Sequence, residues 1–312
     1  ISLIIKYREE RMKKVFIIAA TFAQLVVNAT EPDAAGVLIV SNNVADRQFS
    51  GREDVEIVKI EKNPQLTSIG EAAFNNCSAL KSIYIPNTVT ELGNFCFESC
   101  TSLESVEFEG NSQITSIKDF VFRECSSLKS ICIPNTVMEL GNFCFHDCTS
   151  LESVKFEKNS QITSIGFSVF ERCRSLKAIC IPRSVEKLGW EEDFSIRSLF
   201  PYQGYTFSGC ISLESVTFEK NSNLRYIRHY TFGGCVALKS ICLPRSVTEI
   251  DDYCFSDCTA LESVKFEANS RPEHIGASAF IGCHALKISS FIRRRIEPRI
   301  IKPRIRIYKI RN

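Results

Sequence analysis

Apolar residues between positions 74 and 286 fall in one order that returns nine times: Phe, two residues, Cys, two residues, Leu, with an apolar residue three positions after nearly every Leu. Around Cys125 the apolar set is Ile117, Phe122, Cys125, Leu128, Ile131 and Ile133; around Cys148 it is Leu140, Phe145, Cys148, Leu151, Val154 and Phe156. Ser130 to Ile133 alternates polar and apolar residues, which predicts a short strand with one buried face. Asp119 to Cys125 has the spacing of a helical turn but is too short to stand as a free helix. No single rung can bury six apolar side chains, whereas a neighbour on each side can, and each large side chain fully buried contributes roughly 1.5–3 kcal/mol. The pattern therefore predicts a right-handed solenoid, with a parallel sheet along one face and short helical or 3-10 turns on the other.

The rungs are of two kinds. Successive column cysteines, Cys77, Cys100, Cys125, Cys148, Cys173, Cys210, Cys235, Cys258 and Cys283, are separated by 23, 25, 23, 25, 37, 25, 23 and 25 residues. In one kind Pro86, Pro134, Pro182 or Pro244 closes the strand, because proline cannot donate to a ladder. In the other the strand runs on to Glu109, Glu157, Glu219 or Glu267, and an Asn-Ser turn beginning at Asn111, Asn159, Asn221 or Asn269 adds the two extra residues. The irregular gap of 37 replaces an expected 23, so 14 residues are inserted there (37 minus 23).

Charge supports the same register. The residue after each repeated Leu reads Lys81, Glu104, Lys129, Glu152, Lys177, Glu214, Lys239 and Glu262, alternating in sign at every rung. A slip of one rung would set like charges side by side. Upstream, Val44, Phe49, Arg52, Val55, Val58 and Ile60 fill the same columns, with Arg52 in the cysteine place. This predicts a degenerate first rung that caps the stack, with Gly36 to Ser41 as a candidate cap strand. About ten rungs alternating 23 and 25 residues result.

Segments such as Ile165-Gly166, Val169-Phe170, Cys173, Leu176, Ile179 and Ile181-Pro182 resemble the BspA-like class of leucine-rich repeat, over roughly Val44 to Leu286. The chain departs from that class in its insertion, in Arg52, and in Lys118, Arg228 and Asp251 where glycine is usual. The resemblance implies a leucine-rich repeat solenoid. It also implies the habit of studied members, adhesion to extracellular-matrix or host-surface proteins, but transfers no particular ligand.

The ends differ from the repeats, and three regions are expected: 1–29 upstream, 30–290 solenoid, and 291–312 a basic tail or cap. Met12, Lys13-Lys14, the apolar run Val15 to Val27 and a small residue at Ala29 have the layout of a secretory signal, with a mature start near Thr30. The run is short for a membrane-spanning helix, and no transmembrane span is expected. Phe291 to Asn312 holds nine Lys or Arg against Glu297; the net charge of +2 thus splits into +8 for this tail and −6 for the rest. The tail reads as a closing cap, a contact for anionic surfaces, or a non-native end. The mildly acidic solenoid carries no recognition motif, so nucleic acid is not an expected partner. Fifteen cysteines would suggest disulfides in a secreted chain. However, nine belong to a core column and Cys132, Cys180 and Cys242 recur only on alternate rungs, beyond disulfide reach, so free thiols are expected.

Chemistry is sparse. His146, His229, His274 and His284 occupy unrelated rung positions, no Cys/His cluster has zinc spacing, and there is no phosphate loop, dinucleotide fingerprint or nucleophile elbow. No cofactor, metal or catalytic residue is expected. Binding residues are instead sought in two places. The insertion, residues 190–203, contains the only Trp of the chain, Trp190, with Phe194, Arg197, Phe200 and Tyr202, the residue types that anchor protein interfaces; alternatively, these side chains fold back over the Leu188 and Phe207 columns. The outward strand face is mostly small residues, with Tyr84, Lys155 and Lys265 the larger candidates and Glu109, Glu157, Glu219 and Glu267 an acidic margin. The expected function is non-catalytic binding of a protein ligand by a secreted or surface solenoid. An intracellular scaffold and a structural coat protein are the alternatives.

Overall fold

The computed structural model describes residues 31–61, 65–189, 205–267, 270 and 272–287. The chain winds as a stack of coils, each contributing a four-residue strand to one face and a two-residue strand to another. The long sheet runs in parallel from Val37–Val40 through Ile57–Ile60, Ser82–Ile85, Ser105–Phe108, Ser130–Ile133, Ser153–Phe156 and Ala178–Ile181 to Ser215–Phe218, and Ser240–Leu243 pairs with Ser263–Phe266 beyond it. Its register is that of the repeat: Val154 lies opposite Ile131 and Phe156 opposite Ile133. The expected cap strand forms as Val37–Val40 and pairs residue for residue with Ile57–Ile60.

The core is a set of columns. Ile117, Phe122, Cys125, Leu128, Ile131 and Ile133 are all buried, and so are most of their equivalents, while Phe108, Phe156, Phe218 and Phe266 at the strand ends are partly buried against the core. The Phe column is continuous from Phe49 to Phe280, with neighbouring rings stacked at 5.2–5.5 Å. That spacing is the strand separation, roughly 4.8 Å, plus a small ring offset. Arg52, at the first coil where the column meets solvent, is 30% exposed and pairs with Glu31 at 2.6 Å and Asp54 at 2.7 Å. A charged residue replaces the buried thiol where the stack ends.

The helical or 3-10 turns expected opposite the strands are absent among the described residues. Each Phe-to-Cys segment is instead a run of turns with two residues in the left-handed region, such as Phe120 (φ 61°) and Glu124 (φ 60°), or Phe143 (φ 55°) and Asp147 (φ 56°). These residues turn alternate N–H groups along the stack. Phe120, Phe122 and Glu124 donate to the carbonyls of Asn142, Cys144 and His146 in the next coil at 2.8–2.9 Å, while Arg123 and Cys125 bond back three residues within their own coil. A helix would spend those donors internally and remove the backbone bonds between coils on this side of the stack.

The alternation of coil types has a hydrogen-bond cause. The carboxylates of Glu109, Glu157, Glu219 and Glu267 accept the backbone N–H of Asn87, Asn135, Arg183 and Arg245 at 3.0–3.1 Å. Each of those residues follows the proline that closes the preceding coil's strand. The acidic side chains therefore satisfy the proline turns and are not a free margin of the binding face. The Asn turns hold Asn111, Asn159 and Asn221 at φ 59–60°, a conformation that asparagine tolerates.

Candidate functional site

The outer face of the long sheet is open. Strands such as Ser130–Ile133 and Ala178–Ile181 alternate exposed and buried residues, and Tyr84 is 40% exposed. Lys155 and Lys265 are exposed in the same column as Tyr84, but do not converge with it. Three coils separate Tyr84 from Lys155 and four separate Lys155 from Lys265, about 14 and 19 Å at the usual strand spacing. Tyr84 lies opposite Glu107; partial burial, with the Glu109 and Glu107 carboxylates beside it, pushes its phenol pKa up. Lys155 lies opposite Cys132, whose thiol is pushed up by burial and by Glu157, with Lys155 opposing.

Trp190, Phe194, Arg197, Phe200 and Tyr202 lie outside the described residues, as do the segment Met12 to Ala29 and the basic tail. The points where the insertion leaves and rejoins are defined. Lys187–Leu188 pairs with both Ser164–Ile165 and Tyr226–Ile227, and the Phe170 N–H donates to the Thr206 carbonyl at 2.8 Å. The coil thus closes in register on both sides of the insertion.

The turn side carries a feature that sequence reading missed. Two residues before the core Phe of six coils, a second aromatic column runs half-buried along the surface. Phe95, Phe120 and Phe143 stack at 4.7 and 4.9 Å, and Tyr205, Tyr230 and Tyr253 stack at 4.9 Å. Between the two runs stands Ser168, where Phe167 turns its ring edge-on to Phe143 at 4.6 Å. A signal was available, since an aromatic two positions before the core Phe recurs in six coils. Beside the column lies a charged row: Arg123 bonds Glu98 at 2.8 Å, and His146 sits 13% exposed near Asp147 and Glu171. Among the described residues no group of three or more His, Cys, Asp or Glu is arranged to hold a metal, and no helix is long and apolar enough to cross a membrane.

A family match described as BspA type leucine rich repeat region, in six copies, covers residues 42–160, 110–199 and 192–296. The chain belongs to the BspA-type leucine-rich repeat family. Three solved structures are similar to the chain at low identity. The pneumococcal vaccine antigen PcpA is 18% identical, with a TM-score of 0.50 over 84% of this chain and 73% of that one. A leucine-rich repeat protein of Bacteroides ovatus is 23% identical, with a TM-score of 0.41 over 83% and 92%. A leucine-rich cell surface protein of Faecalibacterium prausnitzii is 18% identical, with a TM-score of 0.41 over 84% and 85%. A comparison with curated proteins gives no match.

Proposed function

We propose that this BspA-type solenoid binds other proteins without catalysing a reaction, as an adhesin-like or host-interaction protein that is secreted or displayed on a cell surface. The observation that carries this reading is the open strand face: alternate residues of the strands stand exposed over consecutive coils, and a flat parallel surface of this length suits macromolecules better than small substrates. The signal-like segment Met12 to Ala29 supports export. In this reading Trp190, Phe194, Arg197, Phe200 and Tyr202 of the insertion supply contacts to the ligand, and Tyr84, Lys155 and Lys265 supply separate contacts along the face. The expected ligands are extracellular-matrix or host-surface proteins, and the basic tail adds attraction to anionic surfaces.

The test measures binding of the full chain to immobilised matrix and host-surface proteins, beside a variant lacking residues 190–203 and a Tyr84→Ala, Lys155→Glu, Lys265→Glu variant. Loss of binding in either variant supports the reading and locates the contact. No binding to any of the panel would count against an adhesin.

A second reading, an intracellular scaffold, is favoured by the thiols: all fifteen cysteines are unpaired and three are exposed, as suits a reducing compartment. N-terminal sequencing of protein from its native cells separates the two, because export predicts a mature start near Thr30.

A further inference from the structure

The half-buried aromatic column is broken by small residues at Ala72, Ser168 and Ser278. In the two coils before Phe95 its positions are held by Ala72 and Arg47. The backbone there is equivalent: φ is 55° at Arg47, 51° at Ala72 and 59° at Phe95, and each N–H donates to the next coil, at 2.8, 2.8 and 3.1 Å. A side chain at Ala72 would therefore start where a ring of the column starts. Ala72 is buried at the floor of a pocket of about 370 Å³ whose walls are Arg47, Ser50, Glu71, Asn75, Phe95 and Glu98. Of the other interruptions, the one at Ser168 is closed by the neighbouring Phe167, and Ser278 stands in the last described coil, with no ring described beyond it. At Ala72 the equivalent neighbour is Glu71, which has no ring to offer.

The walls define the occupant. A ring placed over Ala72 would lie one coil from Phe95 and one coil from Arg47, roughly 4.8 Å from each. The rings of the column itself stack at 4.7 and 4.9 Å, so the slot has the thickness of one aromatic ring. One face would meet a phenyl ring and the other a guanidinium, which favours an electron-rich π system. The Arg47 side chain has no ion pair among the described residues, and neither has that of Glu71. Glu98 is already held by Asn75 at 2.7 Å and by Arg123 at 2.8 Å. Glu71 is thus the acceptor left for an N–H or O–H at the edge of the ring.

We propose that the notch over Ala72 receives one tryptophan or tyrosine side chain of a protein partner, sandwiched between Arg47 and Phe95 with its N–H or O–H directed to Glu71. This site lies on the turn side near the N-terminal end of the stack, and is independent of the strand face and of the insertion.

The test uses the full chain and N-acetyltryptophanamide as probe, with N-acetylalaninamide as the ringless control, read by saturation-transfer and chemical-shift NMR. Weak, saturable binding of the tryptophan probe is expected, with none of the control. Ala72→Phe should fill the slot and weaken binding by about tenfold or more. Because Phe95 already adopts this backbone, the variant should keep the circular dichroism and melting temperature of the parent. Phe95→Leu removes one wall and should also weaken binding, as should Arg47→Gln. Equal binding to the Ala72→Phe variant, equal response to the ringless control, or no saturable binding up to the solubility of the probe would each overturn the proposal.

Discussion

The thiol of Cys148 donates a hydrogen bond to the carbonyl oxygen of Phe122, 3.1 Å away and one coil earlier. The same contact recurs from Cys77 to Phe49 through Cys283 to Phe255, at 2.9–3.2 Å. It explains why this column takes cysteine: the site is small, buried, and faces a carbonyl that a weak donor can satisfy without a large desolvation cost. Burial pushes the Cys125, Cys148 and Cys173 thiols far above their ordinary pKa.

Thiol reactivity should therefore sort by position in the coil. Brief alkylation of the native protein, read by peptide mass spectrometry, is expected to modify the exposed Cys132, Cys180 and Cys242 and to leave Cys125, Cys148 and Cys173 unmodified until denaturant is added. Cys148→Ala should cost on the order of 1–2 kcal/mol in urea unfolding, from lost packing and the lost thiol hydrogen bond, while the Phe122 carbonyl keeps the Cys125 N–H. Native labelling of Cys148 as fast as Cys132 would show that the column is not closed.

Glu157 ties two coils together. Its carboxylate accepts the Asn135 N–H at 3.0 Å just after Pro134, while its own N–H donates to the Ile133 carbonyl at 3.0 Å. Glu157→Ala should lower stability by about 1 kcal/mol, as for a lost hydrogen bond at a turn, and Glu157→Gln should recover most of it. Amide hydrogen exchange gives the sharper reading. The Asn135 amide should exchange faster in the alanine variant, whereas a uniform change along the coil would mean that the carboxylate acts some other way.

How much of this was legible in the sequence depends on what kind of constraint each residue serves. The core columns were plain, because burial at Phe122, Cys125, Leu128 and Ile131 restricts residue type in every coil. Arg52 was readable as a cap for the converse reason: a cation in the cysteine column marks the coil that meets solvent. The turns were not readable as turns. Phe-x-x-Cys fits a helical period, and left-handed positions such as Phe120, Glu124 and Phe143 are held by residue types that seldom signal that conformation. Glu157 looked like part of a surface margin because its partner, the Asn135 N–H, is backbone and leaves no trace in composition. The signal was positional: each such Glu follows a proline of the preceding coil at a fixed interval except across the insertion. For the site, the strand face was correctly placed outside, but the separation of Tyr84, Lys155 and Lys265 along it appears only when the coils between them are counted.

The alternating charges form contacts between coils. Lys81 meets Glu56 at 2.5 Å and Lys129 meets Glu104 at 2.8 Å, while Lys177 approaches Glu152 at 3.8 Å. The hydrogen bond from Lys129 holds the Glu104 carboxyl below its ordinary value of 4.5. A depressed carboxylate adds stability that is present above the unfolded value and lost as pH falls through the folded one. Lys129→Glu would set a third carboxylate between Glu104 and Glu152. The variant should melt below the parent at low salt, and the difference should shrink as salt screens these exposed charges. A difference unchanged by high salt would assign the effect to the lysine stem packing on the surface.

His146 gives the stack a second loss of stability on the acid side, with burial as its cause. Its side chain is 13% exposed, its ring packs edge-on to Phe143 at 5.5 Å, and its Nδ1 has no hydrogen-bond partner. Burial lowers its pKa from 6.5; Asp147 and Glu124 oppose that shift, while Arg123 and Arg172 reinforce it. The unfolded chain therefore binds a proton at a higher pH than the folded one, so stability is intact above about pH 6.5 and falls as the solution is acidified through the lowered folded value. The neighbouring Glu171 carboxyl is raised by burial, so its own contribution is complete below its ordinary value of 4.5 and declines as pH rises through the folded value. Comparing His146→Gln and Glu171→Gln with the parent in urea unfolding between pH 5 and pH 8 separates the two. The first variant should lose the acid-side decline in stability and the second should keep it. If the decline persists in His146→Gln, the buried imidazole is not its source.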